Sequence, residues 1–306
     1  MTPDPTLPFA DGPGAIGAYA DPVLVDPSPS LLTAAVEAYR EAAPGLVDPD
    51  PSTLRTAARE ESPASSTTFS SELPTLTVLA RDRAVDAVVD RFRPASRLAA
   101  LVDAGVWDLL TLPESQPNAA LVGRTTGSVL VATGGRKRER TDTGTRTDGA
   151  APERWCRVGD DPTLRERYAP LVEAAEERRV RTPSRRRVFE ALRERCGVAL
   201  ASDVIRALDA ADGEAFDLTR ARRRAYVVGV HRGALDRDLR RACEDAGLGS
   251  SATFTRIKRE LRDAALLGTE SVPQPVGRPR ERLVARGALA DAGSPVEAVA
   301  AALDAV

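Results

Sequence analysis

Histidine occurs once in the 306 residues, at His231, and lysine only twice, at Lys137 and Lys258. A lone imidazole excludes zinc sites built on two histidines and paired-histidine phosphodiesterase chemistry, and leaves no spare for a Ser-His-Asp triad. Cysteine is also scarce. Cys156, Cys196 and Cys243 lie far apart with no CxxC spacing, which reads as reduced thiols in or near cores rather than a disulfide framework or metal site. No apolar run approaches the ~18–20 residues of a membrane helix. No Lys or Arg precedes Arg40, so the basic start of a signal peptide is missing and a cytoplasmic, non-membrane protein is expected. No Gly-rich phosphate loop, nucleophile elbow or metal-ligand cluster is present, so no catalytic residue, metal or cofactor is assigned. The carboxylates Asp82, Asp86 and Asp90 interleave with arginines as on a solvated helix face.

What is present is segregated charge. Between Thr219 and Arg286 there are 16 Lys/Arg against 8 Asp/Glu, leaving 27 basic and 37 acidic residues elsewhere. A basic segment on an acidic body is a candidate for binding a polyanion.

Residues 1–29 hold seven prolines among Gly and Asp, a composition expected to stay disordered, with a short helix from Leu31 to Ala42. Apolar strand patterns then recur at Leu76–Leu79, Val106–Leu112, Ala119–Val122, Ser128–Val131 and Trp155–Val158. Helical patterns containing Val85 to Phe92 and Ser96 to Val102 lie between the first two, and a helix that Pro170 should break or restart follows the last. The polar stretch 134–151 reads as a solvated insertion. Two more amphipathic helices, Ser184–Cys196 and Ala201–Ala211, suit a linker, a dimer interface or both.

Within the basic segment the periodicity predicts helices over about Thr219–Val230 and Asp236–Ala246, the second closed by Gly247. A third begins at the capping pair Ser250-Ser251. Its apolar face is Phe254, Ile257, Leu261 and Ala265; the opposite face carries Ala252, Thr255, Arg256 and Arg259. A short, polar and basic N-terminal half is what a recognition helix inserts into the major groove. Arg256 and Arg259 can each bond a guanine through O6 and N7, worth roughly 1–3 kcal/mol of discrimination per bidentate pair. Ser251, Ala252 and Thr255 share the base-facing role. Ser250, Lys258 and Arg262 flank it toward phosphates. Two strand patterns, Thr269–Val272 and Glu281–Ala285, enclose a proline-rich turn with Arg278 and Arg280; with Arg282 these form a wing suited to backbone or minor-groove contact. A helix-turn-helix followed at once by a hairpin is a winged helix.

The run Glu244–Lys258, then Leu261, Leu266-Leu267, Glu270, Val272-Pro273 and Val276–Arg280, resembles the TbsP-like transcription regulators of halophilic archaea. Weaker similarity extends back to about Leu76 through Ser96–Leu112 and the Asn118–Val131 hairpin; the N-terminal stretch and Arg136–Asp148 depart from the pattern. The resemblance implies promoter binding and control of transcription, linked in that family to glycolytic and gluconeogenic genes, and implies no catalysis.

The expected fold is α+β: an N-terminal small α/β mixed-sheet domain, a helical connector and a C-terminal winged helix-turn-helix. The expected divisions are a mostly disordered tail (1–72), a sensor or assembly domain (73–182), linker or dimerisation helices (183–213), a DNA-binding domain (214–290) and a C-terminal tail with a short helix (291–306). Expected partners are double-stranded promoter DNA, a second copy of the chain, and an unidentified small-molecule effector, with the protein associated with the chromosome. The alternative is a non-catalytic interaction or assembly module using the 184–211 helices.

Overall fold

The computed structural model describes residues 3–9, 12–59, 73–132, 153–160, 163–210, 216–275 and 279–305. The 134–151 insertion and the wing-tip Arg278 lie outside the described residues. The chain divides into two compact units. One is built from Met1–Ala43, Phe69–Asp86 and Ala104–Arg179, the other from Pro44–Thr68, Ala87–Asp103 and Val180–Val306.

The first unit is organised by an eight-stranded mixed sheet. In chain order its strands are β1 (Thr6–Phe9), β2 (Gly12–Ala15), β3 (Val23–Val25), β4 (Leu76–Ala80), β5 (Trp107–Thr111), β6 (Ala120–Val122), β7 (Gly127–Ala132) and β8 (Glu153–Gly159). They lie side by side as β2-β1-β8-β7-β6-β3-β4-β5. Strands β3, β4 and β5 run parallel, whereas β6, β7 and β8 form an antiparallel meander. Helix α1 (Pro29–Ala42) starts at Ser28, whose hydroxyl accepts from the Leu31 amide at 3.2 Å.

Two expectations are corrected here. The proline-rich N-terminus is part of the sheet. β3 is buried along its whole length between β6 and β4. The β1–β2 hairpin pairs Pro8 with Pro13 at the sheet edge, where a missing ladder donor costs little. Phe9 stacks on Tyr19 and Trp155 at centroid distances of 6.3 and 6.1 Å, and the Tyr19 hydroxyl meets Ser128 Oγ at 2.7 Å. These few apolar anchors outweigh a composition typical of disorder. The second correction concerns Pro170, which sits inside an unbroken helix, Thr163–Ala174. Its ring is exposed and only one ladder bond is forfeited.

The second unit is helical apart from one hairpin. In the element order, α2 (Pro44–Val47) and α3 (Pro51–Arg59) precede β4, and α4 (Asp82–Val89), whose residues up to Asp86 belong to the first unit, and α5 (Phe92–Asp103) follow it; α6 is the Pro170 helix of the first unit. After them come α7 (Arg185–Cys196), α8 (Val198–Asp209), α9 (Leu218–His231), α10 (Asp236–Asp245), α11 (Ser251–Asp263), strands β9 (Leu267–Val272) and β10 (Arg280–Ala285), α12 (Ala288–Asp291) and α13 (Pro295–Ala305). Val188, Phe189 and Leu192 of α7 and Val204 and Ile205 of α8 share one continuous core with Tyr226, Leu239, Phe254 and Leu261. The apolar stripes of the two connector helices are therefore taken up inside the same unit as the winged helix. Ala298, Val299 and Ala302 of α13 join that core. Arg185, nearly buried, bridges Asp48 and Asp209, with Nη2 2.8 Å from Asp209 Oδ2, while Arg97 Nε lies 2.9 Å from Asp48 Oδ2. Burial of Asp48 opposes ionisation, yet these guanidinium groups hold its carboxyl below the ordinary range.

Candidate nucleic-acid interface

Local chemistry sets the helix-turn-helix. Helices α9, α10 and α11 each end in the same way, with a residue at positive φ (Gly233, Gly247, Ala265) and a backbone bond reaching back five residues. Thus Ala234 N donates to Gly229 O, Leu248 N to Cys243 O and Leu266 N to Leu261 O, each at 2.9 Å. The turn before the recognition helix closes on Gly247, and Ser250 caps α11 by accepting from the Thr253 amide. Tyr226 of α9 stacks on Phe254 of α11 at 6.0 Å, fixing the outer helix to the recognition helix through the core. Strand β9 pairs with β10 from Leu267–Ala285 to Val272–Arg280, and Leu235 bridges to Arg282, adding a third short strand segment to the wing.

The apolar face of α11 is Phe254, Ile257 and Leu261, all buried. Ala265, expected as its fourth member, is exposed: the helix ends at Asp263 and Ala265 forms the left-handed cap. On the other side Ala252, Thr255, Arg256 and Arg259 are exposed together. Arg256 is 64% exposed with a 3.8 Å contact to Glu260, one turn on. Arg259 and Arg262 are exposed and make no ion pair or side-chain hydrogen bond among the described residues. On the wing, Arg282 is exposed likewise, whereas Arg280 Nη1 reaches Asp238 Oδ2 at 3.0 Å. Ser251 is half-buried, and its hydroxyl accepts from Arg240 at 3.0 Å.

Lys258 is corrected from a phosphate-facing flank to the inside of the module. Only 13% of its side chain is exposed, and Nζ lies 3.0 Å from Asp236 Oδ2 and 2.6 Å from Glu281 Oε2. The signal was in the periodicity: Lys258 sits about 40° from Phe254 around the helix, at the margin of the apolar arc. It is also the single lysine in a module whose other cations are arginines.

The buried carboxylate of Asp236 is the hub. It accepts from the Tyr226 hydroxyl at 2.7 Å, from Lys258 and from Arg240, the last at 3.0 Å. Burial raises its pKa, but these donors outweigh burial and hold the carboxyl below the ordinary range. Arg240 reaches onward to Ser251 Oγ and, at 3.4 Å, to Thr255 Oγ1. One carboxylate thus organises the outer helix, the recognition helix and, through Lys258 and Glu281, the wing. Arg240 and Asp236 were missed by sequence reasoning, since neither lies on the predicted recognition face.

With that geometry in place, the family comparison is decisive. The pattern described as "Transcriptional regulator TbsP-like, N-terminal" matches residues 43–183, and "Transcriptional regulator TbsP-like, C-terminal HTH domain" matches residues 184–303. The chain belongs to the TbsP-like transcriptional regulators. No curated protein and no solved structure matches it. The N-terminal match begins at residue 43, well ahead of Leu76, where the resemblance in the sequence faded. A TbsP-like regulator with this module is a DNA-binding transcription regulator. Among the described residues, no helix is long and apolar enough to cross a membrane.

Proposed function

We propose that this TbsP-like regulator reads promoter DNA as a homodimer, with Ala252, Thr255, Arg256 and Arg259 at base edges and Ser250, Arg262, Arg278, Arg280 and Arg282 at the backbone. The observation that carries this reading is the contrast on α11. Its inward cation, Lys258, is neutralised by two carboxylates, while Arg259 and Arg262 stay exposed and unpaired among the described residues. Unpaired guanidinium groups on a capped helix of an acidic protein suit a polyanion. Dimerisation supplies two half-sites and matches the common use of helix-turn-helix modules. The genes controlled are those of sugar breakdown and synthesis, as the family resemblance suggests, and the sheet unit is the place for a small-molecule effector.

Gel shifts test the division of labour. Arg256→Ala and Arg259→Ala are expected to lose preference for the cognate site over a scrambled duplex, and Arg278→Ala to weaken both alike. Equal losses in all three would refute the division. A monomeric mass by light scattering at micromolar concentration would refute the dimer, and unchanged transcript levels of sugar genes in a deletion strain would refute the regulon.

A further inference from the structure

Thr255 is the exposed hydroxyl residue at the centre of the recognition face, and its oxygen is already engaged. Oγ1 lies 2.9 Å from the carbonyl oxygen of Ser251, one turn back. A carbonyl only accepts, so the hydroxyl proton of Thr255 is committed to that bond. Arg240 Nη1 approaches the same oxygen at 3.4 Å, so one lone pair faces a donor as well. Arg240 is held in that place, with Nη2 3.0 Å from the buried Asp236 carboxylate and Nη1 3.0 Å from Ser251 Oγ. What Thr255 retains for a ligand is no proton, but its methyl group and a single lone pair beside the Arg240 guanidinium. Ala252, three residues earlier on the same face, adds a second methyl.

The surrounding groups point the same way. Ser251 Oγ accepts from Arg240, which leaves its O–H as a donor. Arg256 and Arg259 are donors without acceptor capacity. Of the two carboxylates near this arc, Glu260 has Oε2 2.7 Å from Arg223 and Oε1 3.8 Å from Arg256, and the exposed Asp263 lies about two turns beyond Thr255. The N-terminal half of the face therefore offers chiefly methyl groups and N–H or O–H donors, with the Glu260 carboxylate engaged by Arg223 and that of Asp263 about two turns away from Thr255. In the major groove thymine alone carries a C5-methyl and pairs it with the O4 acceptor, and guanine presents two acceptors. The amino groups of cytosine and adenine call for an acceptor.

We propose that Thr255 recognises thymine through its methyl group rather than any base through its hydroxyl, with Arg240 as the positioning residue that holds the hydroxyl away. The contacted strand of each half-site is then composed chiefly of thymine and guanine. This inference rests on the DNA-reading role proposed for α11.

The test uses the full chain. A preferred duplex is first selected from a randomised pool, and each thymine is then replaced singly by deoxyuridine, which pairs identically but lacks the C5-methyl. At one or two positions per half-site the replacement is expected to weaken binding roughly fourfold, the value of one buried methyl-sized group. Thr255→Val, which keeps the methyl and loses the hydroxyl, keeps the thymine-over-uracil ratio whatever the change in its overall affinity. Thr255→Ser keeps the hydroxyl and its bonds and abolishes that preference at one position. Should the valine variant not fold, as judged by its thermal melt, the serine variant still decides. Insensitivity to uracil at every position, or a serine variant that discriminates like the unmodified protein, would overturn the methyl reading while leaving DNA binding intact. Absence of any salt-dependent binding to the pool would instead overturn the DNA-reading role itself, and this inference with it.

Discussion

Lys258 Nζ stands 3.0 Å from the Asp236 carboxylate, and through this ion pair the recognition helix is tied to the helix that precedes it. Both side chains are largely buried, and Glu281 on the wing takes a second bond from the same ammonium. A buried pair of this kind adds little net stability over an apolar replacement, but removal of one partner leaves an uncompensated charge. Asp236→Ala leaves the Tyr226 hydroxyl without its acceptor and takes a buried carboxylate from both Lys258, which keeps Glu281, and Arg240, and is expected to cost about 3–5 kcal/mol in urea unfolding. Lys258→Met leaves Asp236 two of its three donors and is expected to cost clearly less. The reverse order would show that the hub is Lys258.

The same hub sets an acid sensitivity. The carboxyls of Asp236 and Asp48 are both held below the ordinary range in the folded chain. A depressed folded value means that the stabilisation is fully present above the unfolded carboxylate range of about 4 and is lost as pH falls through the folded value. Thermal melts are thus expected to fall as pH drops below about 4, and Asp236→Asn to flatten part of that slope. An identical slope in the variant would remove Asp236 from the account.

Arg259 and Arg282 are both exposed and differ in what lies beneath them, one being on the recognition helix and the other on the wing. Arg282→Ala is expected to lower the slope of log affinity against log salt by about one, uniformly across sequences. Arg259→Ala is expected to relax base preference at one position. Titrations on cognate and random duplexes at three salt concentrations separate the two outcomes, and a random duplex unaffected by Arg282→Ala would contradict the wing assignment.

Gly229 lies where α9 meets α10. A Cβ there would stand 2.2 Å from Leu239 Cδ2 and 3.1 Å from its Cγ, and Leu239 is fully buried. Gly229→Ala is expected to destabilise the module by roughly 1–3 kcal/mol through overpacking. An unchanged denaturant midpoint would mean that the two helices are free to separate.

Burial also silences two thiols. Cys243, wholly buried, has its thiol pushed far up, and desolvation raises Cys196 to about 11. Alkylation at pH 7.5 is expected to leave Cys243 unlabelled until urea unfolds the chain, with Cys196 slow; mass spectrometry of the labelled peptides checks both.

Much of the burial pattern of the candidate interface was legible in the sequence. The 3-4 spacing of Phe254, Ile257 and Leu261 placed the apolar face, and by subtraction the exposed arc of Ala252, Thr255, Arg256 and Arg259. Ser250 and Gly247 marked the turn because capping and positive φ are local requirements of the backbone. The sheet strands from Leu76 onward were legible for the same reason: their apolar runs are short and bounded by turns.

Residues 1–29 and the charged network under α11 were beyond such reading. Local composition made the N-terminus resemble a disordered tail. Its order comes from Phe9, Tyr19 and β3 meeting partners that lie a hundred or more residues away in several cases, such as Ser128 and Trp155. Charge type alone could not separate Lys258, which is internal, from Arg259, which is exposed, because a cation's role depends on whether a carboxylate from another element reaches it. By itself the amino-acid sequence determined the helices, their caps and the basic character of the recognition face, all of which follow from interactions within a few residues. Only the tertiary structure decided which hydroxyls and cations on α11 remain available. That depends on Asp236, Arg240 and Glu281 being brought against it from outside the helix, where burial strengthens each pairing.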